Sequence, residues 1–137
     1  MSDIGVLYEG GDRLRVRIRG HELVADQPVA DGGEDVGPSP TELFVASLAA
    51  CIGFYAERYL RRHSLPVEGL AVECDFAFAK DRPARVGSAD LRLVLPAGFP
   101  EERQAGLLAV VEHCTVHNSI RQAPEISISL RAEQPVP

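Results

Sequence analysis

Three cysteines, Cys51, Cys74 and Cys114, are the side chains of this 137-residue chain best suited to covalent chemistry. Their odd number and wide spacing do not make the framework of a disulfide-stapled secreted domain. A single thiol in apolar surroundings is inert, because burial disfavours the thiolate, and reactivity then needs a cation or an aligned dipole at the sulfur. Two thiols within reach of each other have a further option. One thiolate attacks the O–O bond of a peroxide and becomes a sulfenic acid, and the other condenses with it to a disulfide that an external dithiol must reduce. The bland alternative is a set of satisfied core cysteines, since free Cys is among the most buried residue types.

The elements that carry these thiols can be read from pattern. Ser39-Pro40-Thr41-Glu42 forms a capping box with Pro at the first helical position. From Leu43 to Ala56 only Ser47 is clearly polar, so Cys51 lies inside a helix that runs to about His63 and has no wet face for most of its length. Such a helix is surrounded by protein or lipid. The apolar run is shorter than the roughly 20 residues of a bilayer crossing, and Glu57, Arg58, Arg61 and Arg62 follow directly, so the expectation is protein and no membrane. A monomer of this size has trouble wrapping a helix on every side, and a homodimer sharing the helix would solve that.

Pro100 opens a second helix, with Glu101 and Glu102 in its first turn and an apolar stripe of Leu107, Leu108, Val111 and Cys114. Two helices packed through the faces bearing Cys51 and Cys114, at ~8–10 Å between axes, could bring the sulfurs together. Cys74 falls on the apolar side of an alternating run, Val67 to Lys80, with Leu70, Val72, Phe76 and Phe78, and reads as a small core hydrophobe.

Other strands are expected between Gly11 and Ala25, where Leu14, Val16 and Ile18 alternate with Arg13, Arg15, Arg17 and Arg19 and Gly20-His21 turns the chain. Two more are expected at Ala89 to Leu95 and at Glu125 to Leu130. Asp26 to Ser39, rich in Gly, Pro and acids, reads as a mobile loop. The order defines an α+β fold, antiparallel sheets packed on a long buried central helix, in one domain over residues 1–137. A net charge of −6 argues against nucleic acid and anionic membrane as partners. The N-terminus lacks the pattern of a secretory signal, which points to the cytoplasm. His113 and His117 flank Cys114, but the closely paired ligands of zinc motifs are absent, and no cofactor is expected.

The segment Gly37 to Cys51, GPSPTELFVASLAAC, together with His113-Cys114-Thr115-Val116-His117-Asn118, resembles the OsmC/Ohr family of osmotically inducible and organic-hydroperoxide-resistance proteins. Both motifs occur in the family's order, and the likeness covers nearly the whole chain. It implies an intertwined homodimer with the central helices buried together. It implies reduction of an organic hydroperoxide without metal or organic cofactor, Cys51 as the peroxidatic and Cys114 as the resolving cysteine, and an external dithiol as reductant. An Arg from the N-terminal strands that stabilises the anionic sulfur is also implied, and Arg15 is the choice among the four. Glu42 could pair with that Arg or serve only as a helix cap. Thr41 stands where the hydroperoxide-resistance branch commonly has an acid, and Thr115 where relatives often have Pro, so the pattern is closer to the OsmC-like branch. In that branch a second function class stays open: a non-catalytic dimer that binds a small apolar or thiol ligand.

Overall fold

Alternation near the N-terminus produces a three-stranded antiparallel sheet in the computed structural model, which describes residues 2–133. Met1 and the last four residues of the expected 1–137 domain lie outside the described residues. Strands β1 (Ile4–Tyr8), β2 (Leu14–Ile18) and β3 (His21–Ala25) pair in that order. Their register sets Ile4 opposite Ile18, Val6 opposite Val16, Val16 in turn opposite Leu23, and Tyr8 opposite Leu14. One face of the sheet is therefore apolar and the other carries Arg15, Arg17 and Glu22. Strand β1, which alternation further along the chain did not announce, completes this sheet.

The Asp26 to Ser39 segment is ordered, contrary to the mobile loop expected from its composition. Asp26, buried at 1% exposure, accepts the backbone N–H groups of Gln27 (2.7 Å), Val36 (3.1 Å) and Glu34 (3.2 Å). These bonds, that from Val36 foremost, hold its carboxyl below the usual carboxylate range against the opposing effect of burial. Gly37 passes so close to β3 that a Cβ there would stand 1.8 Å from the Val24 carbonyl oxygen, so no larger residue fits. One carboxylate thus does for the loop what a ladder does for a strand.

Helix α1 (Pro40–Arg62) starts where predicted. The Ser39 N–H donates to Glu42 Oε1 at 2.9 Å and the Glu42 N–H to Ser39 Oγ at 3.1 Å, completing the capping box. The hairpin β4 (Ala71–Phe78) and β5 (Val86–Val94), helix α2 (Gln104–Val111) and helix α3 (Thr115–Arg121) pack around it. Ala56 and Leu60 of α1 join Leu107 and Val111 of α2 in the centre of the core, with Ile52, Tyr59, Leu93 and Leu95 around them. By length and hydropathy alone α1 could cross a bilayer. Here Val45, Leu48, Ala56 and Leu60 are buried against protein.

As the size of the chain implied, helix α1 is not enclosed on all sides within one chain: Phe44 and Phe54 are 46% and 52% exposed. One expectation needs correction: Glu125 to Leu130 does not form a strand, and Ile126, Ile128 and Leu130 stand exposed and pair with neither sheet. Alternation makes a segment competent to be a strand, but its backbone groups need an edge to bond, and this segment is paired with no edge within the chain.

Candidate active site: a pair of thiols between helices

Cys51 projects from the middle of α1, one turn before Tyr55, and is partly exposed. Cys114 does not continue the apolar stripe of α2 as its spacing suggested. Helix α2 ends at Val111, the chain turns at His113, and Cys114 becomes the N-cap of α3 in an extended conformation. Its sulfur accepts the His117 N–H at 3.5 Å, and the residue has no exposed surface. Helix α3 packs on α1, and the Cys114 thiol has the Cys51 thiol as its neighbour.

Burial pushes the Cys114 thiol up. The His117 N–H pulls the other way, and the adjacent Cys51 thiol raises it further, as expected for two groups that cannot easily both be anionic. Cys114 is therefore a protonated thiol held against a partner that reaches the surface. Both cysteines are free, as is Cys74. Cys74 lies in β4 opposite Leu91, partly buried, and burial there raises its thiol as well, with Asp75 adding to the effect.

A contact that the sequence did not signal fixes the pair. The Tyr55 hydroxyl and Thr115 Oγ1 are hydrogen-bonded at 2.8 Å. Tyr55 follows Cys51 by one turn and Thr115 follows Cys114 directly, so this bond ties the start of α3 to the Cys51 stripe of α1. The signal that could have found it is Thr115 itself, a hydroxyl placed next to a cysteine with an aromatic hydroxyl one turn from the other.

Between α1, β5 and α3 lies an open, largely apolar cleft of about 300 Å³, lined among others by Phe44, Leu48, Ile52, Leu91, His117 and Ile120; Ile52 follows Cys51 directly and the His117 N–H donates to Cys114.

Glu42 and Arg15 are placed elsewhere in the chain. Glu42 is exposed and its carboxylate is engaged by the Ser39 N–H. Nine residues separate it from Cys51, about 14 Å along a helix axis. Arg15 stands on the polar face of the N-terminal sheet, where its charge partners are Glu9, in bonding contact, and Glu22 at 3.3 Å. The Glu9 bond lowers the Glu9 carboxyl and raises the Arg15 guanidinium. His113 gives its carbonyl to the Asn118 side chain at 3.1 Å. Among the described residues no cluster of three or more His, Cys, Asp or Glu could hold a metal ion.

The fold and its site define an α+β protein with a thiol pair where a central helix meets a short capping helix. The match to the family described as OsmC-like protein, over residues 32–129, identifies it further: the chain belongs to that family. No curated protein sequence matches it. Among solved structures it is similar to a Psychrobacter arcticus protein named for osmotic stress induction and detoxification response, at 25% identity over 87% of this chain and 88% of that one, with a TM-score of 0.79. The same fold is found in an OsmC-like protein of Mycoplasma pneumoniae, at 14% identity, 88% and 87% coverage and a TM-score of 0.73. It is also found in the organic hydroperoxide resistance protein OhrB of Bacillus subtilis, at 19% identity, 88% and 91% coverage and a TM-score of 0.60.

Proposed function

We propose that the chain is a cysteine-based peroxidase that reduces organic hydroperoxides to alcohols and works as a homodimer. The observation that carries this reading is the side-by-side placement of the Cys51 and Cys114 thiols, whose neighbours Ile52 and His117 line an apolar cleft. Membership in a family whose solved relatives include organic hydroperoxide resistance proteins supports it.

The Cys51 thiolate attacks the terminal oxygen of ROOH. The O–O bond breaks, the alkoxide takes a proton and leaves as ROH, and Cys51 carries the sulfenic oxygen. Cys114 then attacks the Cys51 sulfur, the S–O bond breaks, water leaves, and a disulfide remains. Two exchanges with an external dithiol return both thiols. Keeping Cys114 protonated until Cys51 has been oxidised suits this order, because a thiol that ionises reluctantly does not compete for the peroxide. The apolar walls favour alkyl hydroperoxides over hydrogen peroxide, since they offer little to a small hydrophilic molecule.

The dimer enters through what one chain leaves uncovered: Phe44 and Phe54 on α1, the apolar face of the N-terminal sheet, and the unpaired Ile126 to Leu130 segment. A role for Arg15 at Cys51 would then be played across that interface, on the partner's cysteine. A reducing compartment such as the cytoplasm, where a dithiol is supplied, is the setting this cycle requires.

Peroxide-treated protein should lose two hydrogens in intact-mass measurement, with the new bond mapped to Cys51 and Cys114 and Cys74 left free. Cys51→Ser should abolish turnover of cumene hydroperoxide in stopped-flow assays. Wild-type consumption no faster than that of the variant would end the reading.

A further inference from the structure

Cys51, Tyr55, Arg58 and Arg62 lie on one stripe of α1, within an arc of about 60° at 100° per residue. The stripe continues from the thiol into a cleft of about 280 Å³ between α1 and α2. Phe54, Tyr55 and Tyr59 supply aromatic walls, and Arg58, Arg62 and His63 supply the polar ones. The guanidinium of Arg58 lies 5.0 Å from the Phe54 ring centre. Arg103, which has no acceptor and so must donate, bonds His63 Nδ1 at 2.9 Å and adds a third positive charge behind the cleft.

What distinguishes these cations is the absence of acids. Arg61, between them in sequence, is neutralised by Glu57. Among the described residues neither Arg58 nor Arg62 has a carboxylate within ion-pair distance. In a chain of net charge −6 this is a local positive, partly apolar groove that starts one turn from Cys51.

We propose that the α1–α2 cleft is a carboxylate-binding subsite, in which Arg58 and Arg62 hold the anionic end of an amphipathic ligand whose alkyl chain runs along the aromatic walls toward Cys51. The two arginines follow Cys51 by roughly 10 and 16 Å along the helix axis, and their side chains lean back toward the N-terminus. That separation matches about eight to twelve saturated carbons in a staggered chain with ~1.5 Å bonds. Placing the oxidised carbon at Cys51 rests on the peroxidase reading, whereas the anion site does not. The bidentate fork of Arg suits a carboxylate, and the aromatic walls exclude a small hydrated ion as the preferred occupant.

The test is calorimetric binding of ω-hydroxydodecanoate, which has no O–O bond, and of its methyl ester. The acid should bind wild-type protein at least about tenfold tighter than the ester, the step that one charge-assisted contact supplies. An R58Q/R62Q double variant should bring the acid down to the ester's affinity. Arg92→Gln, which removes a distant charge paired with Glu73 and Asp75, should leave it unchanged. Equal binding of acid and ester, an unaffected double variant, or inorganic phosphate binding as tightly as the acid would each overturn the proposal. In the same protein the hydroperoxide corresponding to that acid should show a higher kcat/KM than its methyl ester. If the binding pattern holds while no hydroperoxide is turned over, the subsite stands and the peroxidase reading fails.

Discussion

The body of the protomer and its N-terminal sheet solve the same problem differently. In the body, α1, β4, β5, α2 and α3 share one core in which Ala56, Leu60, Leu107 and Val111 are buried, and the thiol pair sits at its margin. In the sheet, β1 to β3 pair in register along their whole length yet Ile4, Val6 and Tyr8 are more than half exposed. Strand pairing is thus made in both regions, and burial in only one. A sheet with an uncovered apolar face is stable where something covers it, and the proposed homodimer would supply that cover.

The sharpest way to break that comparison is to make the sheet face polar. On the proposed reading, Val6→Asp with Val16→Asp, two residues opposite each other, should leave the chain monomeric in light-scattering measurements and without most of the proposed peroxidase activity, although the thiol pair itself is untouched. A variant that stays dimeric would show that the face does another job.

A smaller effect is expected from Arg15→Gln. If the partner's Cys51 uses this charge, kcat/KM should fall at least about tenfold with dimerisation intact, the order of effect seen when a group that activates a nucleophile is lost. An unchanged rate would leave Arg15 as a link between Glu9 and Glu22 in the sheet.

Asp26 joins the two regions, and its replacement by Asn should lower Tm by several degrees in calorimetry at neutral pH. The sign with pH follows from its depressed native carboxyl. The contribution is fully present above the unfolded value of about 4 and is lost as pH falls through the lower folded value. The gap between wild type and Asp26→Asn should therefore close in acid.

The smallest effects belong to the body. Tyr55→Phe removes one bond, to Thr115, and should cost about 1 kcal/mol in denaturant unfolding while slowing disulfide closure after peroxide treatment. Glu42→Gln keeps an acceptor for the Ser39 N–H and should leave stability and turnover near wild type. A large loss of turnover there would return Glu42 to the chemistry.

Much of this was legible in order of residues alone because it depends on near neighbours. The capping box at Ser39 and Glu42, the boundaries of α1, the β4–β5 hairpin and the alternating strands before Ala25 all follow from side-chain period, turn residues and local hydrogen bonds. The two cysteine motifs were legible for the same reason, as was the family they resemble. The loop from Asp26 was misread because its order comes from one buried carboxylate whose three N–H partners composition does not reveal. Ile126 to Leu130 was misread because a strand is a property of two segments, and alternation describes only one of them.

The sequence by itself determined that this chain has a capped apolar helix bearing a thiol, an α+β order of elements and a second thiol after another helix, since each of these is set within a few residues. Only the tertiary structure decided that Cys114 caps α3 and does not end α2, that its sulfur lies beside Cys51, and that the aromatic and arginine stripe opens into a cleft. Those facts depend on how distant segments approach one another, and packing free energy summed over the whole core, not any local preference, sets that approach.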